Sequence, residues 1–269
     1  MVGLALPMPA GAYDCMLEPA QVVEIRSAVE GLITRIHVQR GDDVRAGQIL
    51  VELDSTVERS SAAVARYRST AEGRIEASRN RMVYAVRKTD RSNELHSKQF
   101  ISAQERDQAE TEKNLAESDL KEAMEARELA RLELQRAIDI LNQKTLRSPF
   151  DGIVIDRMLN PGDLAEAGNG RKPILRLAQI DPLHVEVVLP LETFGKLRPG
   201  MSAQVFPESG GEYRATVRIV DRVFDAASGT YGARLELPNP KRQLPGGIRC
   251  RIEFSNATAG LGPDGRTGR

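Results

Sequence analysis

Glu30-Gly31-Leu32-Ile33-Thr34-Arg35-Ile36-His37-Val38-Gln39-Arg40-Gly41-Asp42 and Asp151-Gly152-Ile153-Val154-Ile155-Asp156-Arg157-Met158-Leu159-Asn160-Pro161-Gly162-Asp163 are two versions of one phrase, and their agreement decides how the chain is divided. At a constant offset of 121 residues (152 − 31), Gly31 matches Gly152, Ile33 matches Val154, Gly41 matches Gly162, Asp42 matches Asp163 and Gly47 matches Gly168. Self-similarity of this kind marks an internal duplication. Each copy reads as a short strand with alternating apolar positions, a Gly-Asp turn and a second apolar run, Ile49-Leu50-Val51-Glu52-Leu53 or Ile174-Leu175-Arg176-Leu177. Half-domains of roughly 30 residues cannot bury both faces of their strands, so the copies are expected to pack on each other as a small β-sandwich.

What separates the copies is of another kind. No proline lies between Pro19 and Pro149, and residues 57–145 contain a single glycine, Gly73, whereas residues 149–269 hold eleven of the 14 prolines and sixteen of the 22 glycines. The intervening segment is rich in Ala, Glu, Arg, Leu and Gln, all good helix formers, and is too long for one ordinary helix. It breaks at Lys98-Gln99-Phe100-Ile101, where Ser102-Ala103-Gln104-Glu105 forms a capping box, leaving arms 57–98 and 103–144. Counting sevens predicts a coiled-coil seam through Val57, Val64, Ala71, Ser78, Ala85 and Ser92, with Ile75 and Met82 beside it. The second arm offers Ala109, Ala116, Ala123, Ala130 and Ala137, with Leu120, Leu134 and Leu141, interrupted by Lys113 and Arg127. Arm one carries ten basic and five acidic residues, a net of +5, and arm two seven and eleven, a net of −4, which favours pairing one with the other. Arms of this length reach about 63 Å at about 1.5 Å per residue, so they must project. Heptads specify packing and not function, and a structural spacer or dimerisation element fits this segment as well as a docking device.

Composition removes several functions. Lys+Arg 38 against Asp+Glu 38 gives zero formal charge, so a global positive field for nucleic acid is absent. Five Tyr, six Phe and no Trp argue against stacking platforms and large aromatic pockets. Cys15 and Cys250 alone exclude a four-cysteine zinc site. No run of 18 apolar residues is present to span a bilayer. His37, His96 and His184 have no metal-ligand spacing, no nucleophile elbow, P-loop or dinucleotide fingerprint occurs, and the carboxylates of 105–139 read as a solvated helix face. From Ile180 onward, short alternating runs (Leu183 to Leu189, Ala203 to Phe206, Tyr213 to Ile219, Arg234 to Leu237, Ile248 to Phe254) punctuated by Gly and Pro predict a compact antiparallel barrel.

The run Gly31-x-Ile33-x-x-Ile36-x-Val38-x-x-Gly41-Asp42-x-Val44-x-x-Gly47-Gln48-x-Leu50-x-x-Leu53-Asp54 resembles the first half of a biotinyl/lipoyl domain. Ser148-Pro149-Phe150-Asp151-Gly152-Ile153-Val154, with Gly162-Asp163 and Pro173-Ile174-Leu175-x-Leu177-Ala178, resembles the second half as found in periplasmic adaptors, the HlyD-like membrane fusion family. The resemblance implies an elongated mixed α and β chain: a split biotinyl/lipoyl-like sandwich with an inserted antiparallel coiled-coil hairpin, followed by a small antiparallel β-barrel. The corresponding divisions are 1–25, returning to the barrel; 26–56 and 146–178, the sandwich halves; 57–145, the hairpin; 179–255, the barrel; and 256–269, a tail expected to be disordered.

By the same resemblance the chain is a non-enzymatic periplasmic subunit without cofactor or metal. It would bridge an inner-membrane transporter of the RND or ABC type and a TolC-type outer-membrane channel, self-associating as a hexamer. Arg91, Leu95 and Ser102 fit Arg-x3-Leu-x6-Ser, which is similar to the pattern by which adaptors engage the channel; they also read as a solvated charge, a seam-margin leucine and a helix cap. A coiled-coil scaffold that meets no channel is the alternative reading. A biotin or lipoyl carrier enzyme component is the third, and it lacks its acceptor lysine, because Leu53-Asp54-Ser55-Thr56 runs straight into helix. Fifteen residues follow Phe254, where longer family members continue into a membrane-proximal domain. At the other end Ala10-Gly11-Ala12 is similar to a cleavage site without a basic region before it, and Cys15 sits in no lipobox. In the family the N-terminal strand returns beside the barrel's last strand, which would make Cys15 and Cys250 neighbours, either bridged or as separate buried thiols.

Overall fold

Two strands organise the molecule: β1 (Tyr13–Ile25) and β8 (Leu175–Pro190). They run antiparallel along each other from Cys15 opposite Val187 to Ile25 opposite Leu175, with one irregularity between Pro19 and Gln21. The computed structural model describes residues 12–167 and 172–254. Gly168, residues 1–11 of the leader reading and the tail after Phe254 lie outside them.

At one end of this ribbon the chain closes a barrel. Strands β9 (Ser202–Pro207), β10 (Tyr213–Val220), β11 (Thr230–Leu237) and β12 (Ile248–Phe254) join in the order β1-β12-β9-β10-β11-β8, and because β1 also pairs with β8 the six strands form a ring with no free edge. Alternate residues point inward, so Leu17, Leu183, Val185, Ala203, Val205, Ala215, Val217, Leu235 and Ile252 are fully buried. Cys15 stands directly opposite Cys250 across the β1–β12 pair, and the two are joined by a disulfide with Cα atoms 4.8 Å apart. The pairing left open by the sequence is therefore a bridge.

At the other end of the ribbon Ile25, Leu175 and Leu177 belong to a second core. Strands β2 (Gly31–Ile36), β4 (Ile49–Leu53), β5 (Thr145–Arg147) and β7 (Leu164–Ala165) form an open sheet in the order β5-β4-β2-β7. Strands β3 (Asp43–Val44) and β6 (Gly152–Arg157) extend the larger sheet from β8. The two repeat copies clasp each other by equivalent bonds. Gly41 N–H donates to Val154 O at 2.9 Å and Gly162 N–H to Ile33 O at 2.8 Å, while Val154 N–H returns to Asp42 O and Ile33 N–H to Asp163 O, both 2.9 Å. The aspartates brace their own turns, Asp42 accepting from Gln39 N–H at 2.8 Å and Asp163 from Asn160 N–H at 2.7 Å. Gly41 and Gly162 both lie at φ +94°, a conformation side chains resist, which explains why glycine recurs at this offset. The division expected at 178–179 falls inside β8, whose backbone passes from one core to the other without interruption.

Three helices, not two, leave the open sheet: α1 (Thr56–Thr70), α2 (Gly73–Ser97) and α3 (Ala103–Asn142). The first arm breaks at Ala71-Glu72, before the segment's single glycine, and the break shifts the packing face. In α2 the counted positions face α3: Ile75, Ser78 and Ala85 are buried and Met82 and Ser92 half-buried, joined by Thr89, whose hydroxyl reaches Ala85 O at 3.0 Å and Ala109 O at 2.9 Å. In α1 the count fails. Val57 and Val64 are 74% and 52% exposed and Ala71 is exposed, while Ala62 is buried and Glu58 and Ala65 half-buried. One residue of phase is lost at the break, since the half-buried series 58, 65 would continue through 72 to 79, whereas Glu72 is exposed and α2 buries 78. Ala109, Ala116 and Ala123 of α3 are buried, and Ala130, Leu134, Ala137 and Leu141 half-buried. Arg127, the interruption in that series, pairs with Glu72 at the break, 3.2 Å away.

The helices run antiparallel, with Arg74–Glu122 at 2.6 Å, Arg81–Asp119 at 3.8 Å and Lys88–Glu112 at 2.6 Å spaced by sevens along α2. Exposed pairs of this kind contribute about 0–1 kcal/mol each, so they select register more than they stabilise. The arm is rooted by Leu53 N–H donating to Lys144 O at 2.8 Å and by Lys144 Nζ, which holds Glu58 and the Glu30 carbonyl, both at 3.1 Å.

Two outcomes are expected. Non-reduced protein unfolded in denaturant should titrate no free thiol, and reduction should lower unfolding stability by up to about 5 kcal/mol, the chain-entropy value for a loop of 235 residues. Glu58 is held below the usual glutamate range by its own backbone N–H and then by the Lys144 bond. A depressed carboxylate stabilises above the unfolded value and loses that contribution as pH falls through the folded one. The thermal midpoint of Glu58→Gln should therefore fall less than that of the parent on acidification below the ordinary glutamate range.

Candidate functional site at the tip of the helical arm

The last turn of α2 closes on itself before the chain reverses. Gln99 takes φ +61°, its N–H donating to His96 O at 2.9 Å, and Phe100 N–H reaches back to Leu95 O at 2.9 Å. This pair of hydrogen bonds across a left-handed residue is the Schellman ending of a helix, here with glutamine where glycine is usual. His96 Nδ1 lies 3.2 Å from Ile101 O and ties the turn from its other side. Helix α3 then starts at Ser102, whose Oγ accepts Glu105 N–H at 3.2 Å while Glu105 Oε2 accepts Ser102 N–H at 3.0 Å, a complete capping box.

Of the three residues singled out in the sequence, Arg91 and Leu95 lie one turn apart on a single face of α2, both exposed, Leu95 at 42%. Ser102 is across the turn, with its hydroxyl engaged in the cap. The sequence motif passed over Phe100. Its ring is 74% exposed at the apex, and a chain with only six Phe places one where nothing covers it. An exposed phenylalanine beside an exposed leucine and a guanidinium is a combination suited to filling a groove on a partner. A backbone closed by both a Schellman turn and a capping box holds these groups in one arrangement.

Elsewhere the chemistry is sparse. Among the described residues no three of His, Cys, Asp and Glu are grouped to hold a metal, and no helix is long and apolar enough to cross a membrane. His37 pairs with Glu52 at 2.8 Å. Where a carrier would present its lysine, Asp54 Oδ1 instead accepts the Thr56 N–H and hydroxyl at 3.1 and 2.8 Å, and helix follows.

A family model described as CzcB-like, barrel-sandwich hybrid domain matches residues 21–170, more than half of the chain. The chain belongs to the periplasmic adaptor, or membrane fusion protein, family. The chain is 25% identical over 252 residues to the multidrug efflux pump subunit AcrA of Escherichia coli K12, covering 87% of this chain and 59% of that one. It is 25% identical over 238 residues to the macrolide export protein MacA of Yersinia pestis, covering 85% and 63%. The chain thus spans about three-fifths of the length of these curated relatives. Among solved structures, MacA of Actinobacillus actinomycetemcomitans superposes with a TM-score of 0.74 at 20% identity over 91% of this chain and 78% of that one. The membrane fusion protein Spr0693 of Streptococcus pneumoniae R6 gives 0.64 at 16% identity over 92% and 100%. At such identities these two structures speak for the fold.

Replacing Ser102 by Ala should cost about 1 kcal/mol of stability through the lost cap. Amide exchange should quicken at the start of α3 and remain unchanged in the barrel strands.

Proposed function

We propose that the chain is a periplasmic adaptor subunit that bridges an inner-membrane transporter and a TolC-type outer-membrane channel in efflux or secretion. The observation that carries this reading is the tip, where Leu95 and Phe100 stand exposed beside Arg91 at the end of a helical arm. The transporter is of the RND or ABC class, and copies associate as a hexameric ring around a conduit. In this reading the two repeat copies, 26–56 and 146–178, form a split lipoyl-like sandwich, and 57–145 is a coiled-coil hairpin inserted between them. The barrel, 179–255, takes the N-terminal segment as its closing strand.

The protein contributes geometry and sealing. The sandwich directs the arm, the arm spans the gap, and the tip fills a groove between channel helices. Arg91 supplies a charge-assisted contact, Leu95 and Phe100 the apolar anchors, and Ser102 holds the turn that presents them. Support comes from family membership and from relatives named for multidrug and macrolide export.

Leu95→Asp should abolish capture of a purified TolC-type channel while leaving helical circular dichroism intact, because an exposed carboxylate costs little but one desolvated in a groove costs several kcal/mol. Arg91→Ala and Phe100→Ser should weaken capture in the same assay. Loss of helicity in Leu95→Asp would place that residue in the helix packing, and undiminished capture in all three variants would remove the tip from the docking surface.

A further inference from the structure

The loop 238–247, between β11 and β12, does more than join two barrel strands. It leaves the barrel, lies against the β1–β8 ribbon and reaches β3 and the start of β6, in the half of the molecule that bears the arm. Arg242, at its crest, donates through Nη1 to Asp43 Oδ1 in β3 at 2.8 Å, and its Nη2 stands 3.9 Å from Asp151 Oδ2 just before β6. The arginine is 24% exposed while the aspartates are 69% and 62% exposed, so a mostly covered guanidinium is presented to two surface carboxylates.

The loop is built to hold that pose. Asn239, 5% exposed, donates its amide to the Ile180 and Leu244 carbonyls, both at 2.9 Å, and accepts Leu244 N–H at 3.2 Å. Its backbone N–H goes to the Asp181 carboxylate at 2.9 Å. Leu244 is 4% exposed. Gly246 lies so close to the ribbon that a Cβ there would stand 2.9 Å from Pro19 Cδ, and Gly247 N–H donates to Leu17 O at 2.6 Å. With both feet fixed on the barrel and ribbon, Arg242 takes φ +51°, an unfavourable conformation for a residue with a side chain. Strain of this sort persists where the surroundings impose it.

We propose that this loop is a strap that sets the angle between the barrel and the arm-bearing sheets, with Arg242 as its positioning residue. The inference rests on reading the arm tip as the docking end, because angle then becomes reach. Helix α3 alone is about 60 Å long at about 1.5 Å per residue, so a tilt of about 10° at the barrel joint swings the tip by about 10 Å. Such a tilt is otherwise met by the ribbon, two strands wide and irregular between Pro19 and Gln21, and by the apolar contacts of Ile153 and Ile155 in β6 with the barrel core. The strap opposes it from the side.

The test measures distance in the isolated chain. Spin labels at Arg66→Cys on α1 and Glu208→Cys on the barrel report the joint, the native cysteines being bonded to each other. Arg242→Ala should at least double the width of the distance distribution, with circular dichroism unchanged. Asp43→Asn combined with Asp151→Asn leaves the loop backbone untouched and should do the same. Exchanging the charges, Arg242→Asp with Asp43→Arg, in a chain also carrying Asp151→Asn so that no second carboxylate faces the new one, should restore a narrow distribution. A folded Arg242→Ala or a folded double asparagine variant whose distribution superposes on the parent's overturns the strap. Channel capture plays no part in this measurement, so failure of the docking reading is registered separately.

Discussion

The pairing of β1 with β8 is the constraint from which the rest follows. These two strands are long enough to serve two cores in succession, and each core is complete only because both strands enter it. In the barrel they are the neighbours that close the ring, and in the open half they present Ile25, Leu175 and Leu177 to the clasped repeat copies. A break in either strand would leave a barrel with an edge and a sheet without a base. The disulfide lies at the barrel end of the same ribbon, where β1 has β12 on its other side. It fixes the strand that enters the barrel from the far end of the sequence, the one whose loss is entropically easiest.

How legible these features are in the sequence depends on whether the physics is local. The duplication is legible because each Gly-Asp turn demands a left-handed backbone, which leaves the same residue at the same offset. The packing face of α2 against α3 is legible because small residues every seven positions are what close helix approach selects. That of α1 is not, because a helix break that drops one residue of phase leaves little trace beyond Gly73 and an acid, Glu72, opposite Arg127. The place of the turn at 98–101 is legible from the capping box that follows it, but the left-handed pose of Gln99 is not, since glutamine carries no such signal and the pose accompanies backbone bonds back to Leu95 and His96. The passage of β8 between two cores is invisible to alternation, which records that a residue is buried and not in which core. Contacts such as Arg242 to Asp43, 199 residues apart, carry no periodicity at all.

Weak interactions here act as selectors. The ion pairs along α2 and α3 are exposed and individually worth little, yet only one antiparallel register meets them all, and the alanine seam admits close approach without by itself fixing axial position. Lys88 shows the principle on a single group: its hydrogen bond to the neighbouring Glu112 carboxylate raises its affinity for a proton. Thr89 adds a directional bond across the same seam. Together these account for a long arm holding one alignment on a narrow contact of mostly methyl groups.

The root of the arm has a consequence of its own. Leu53 and Lys144 are separated by 90 residues of chain (144 − 54) and by one hydrogen bond of 2.8 Å in space. To the sheets, the entire arm is indistinguishable from a tight turn between β4 and β5. Its length is therefore free to vary without any change in the part that folds around it. Inserting one heptad in each helical limb of the arm would carry the tip outward by about 10 Å while leaving every contact below Lys144 as it is. Duplication within the arm alone is therefore enough to change its reach.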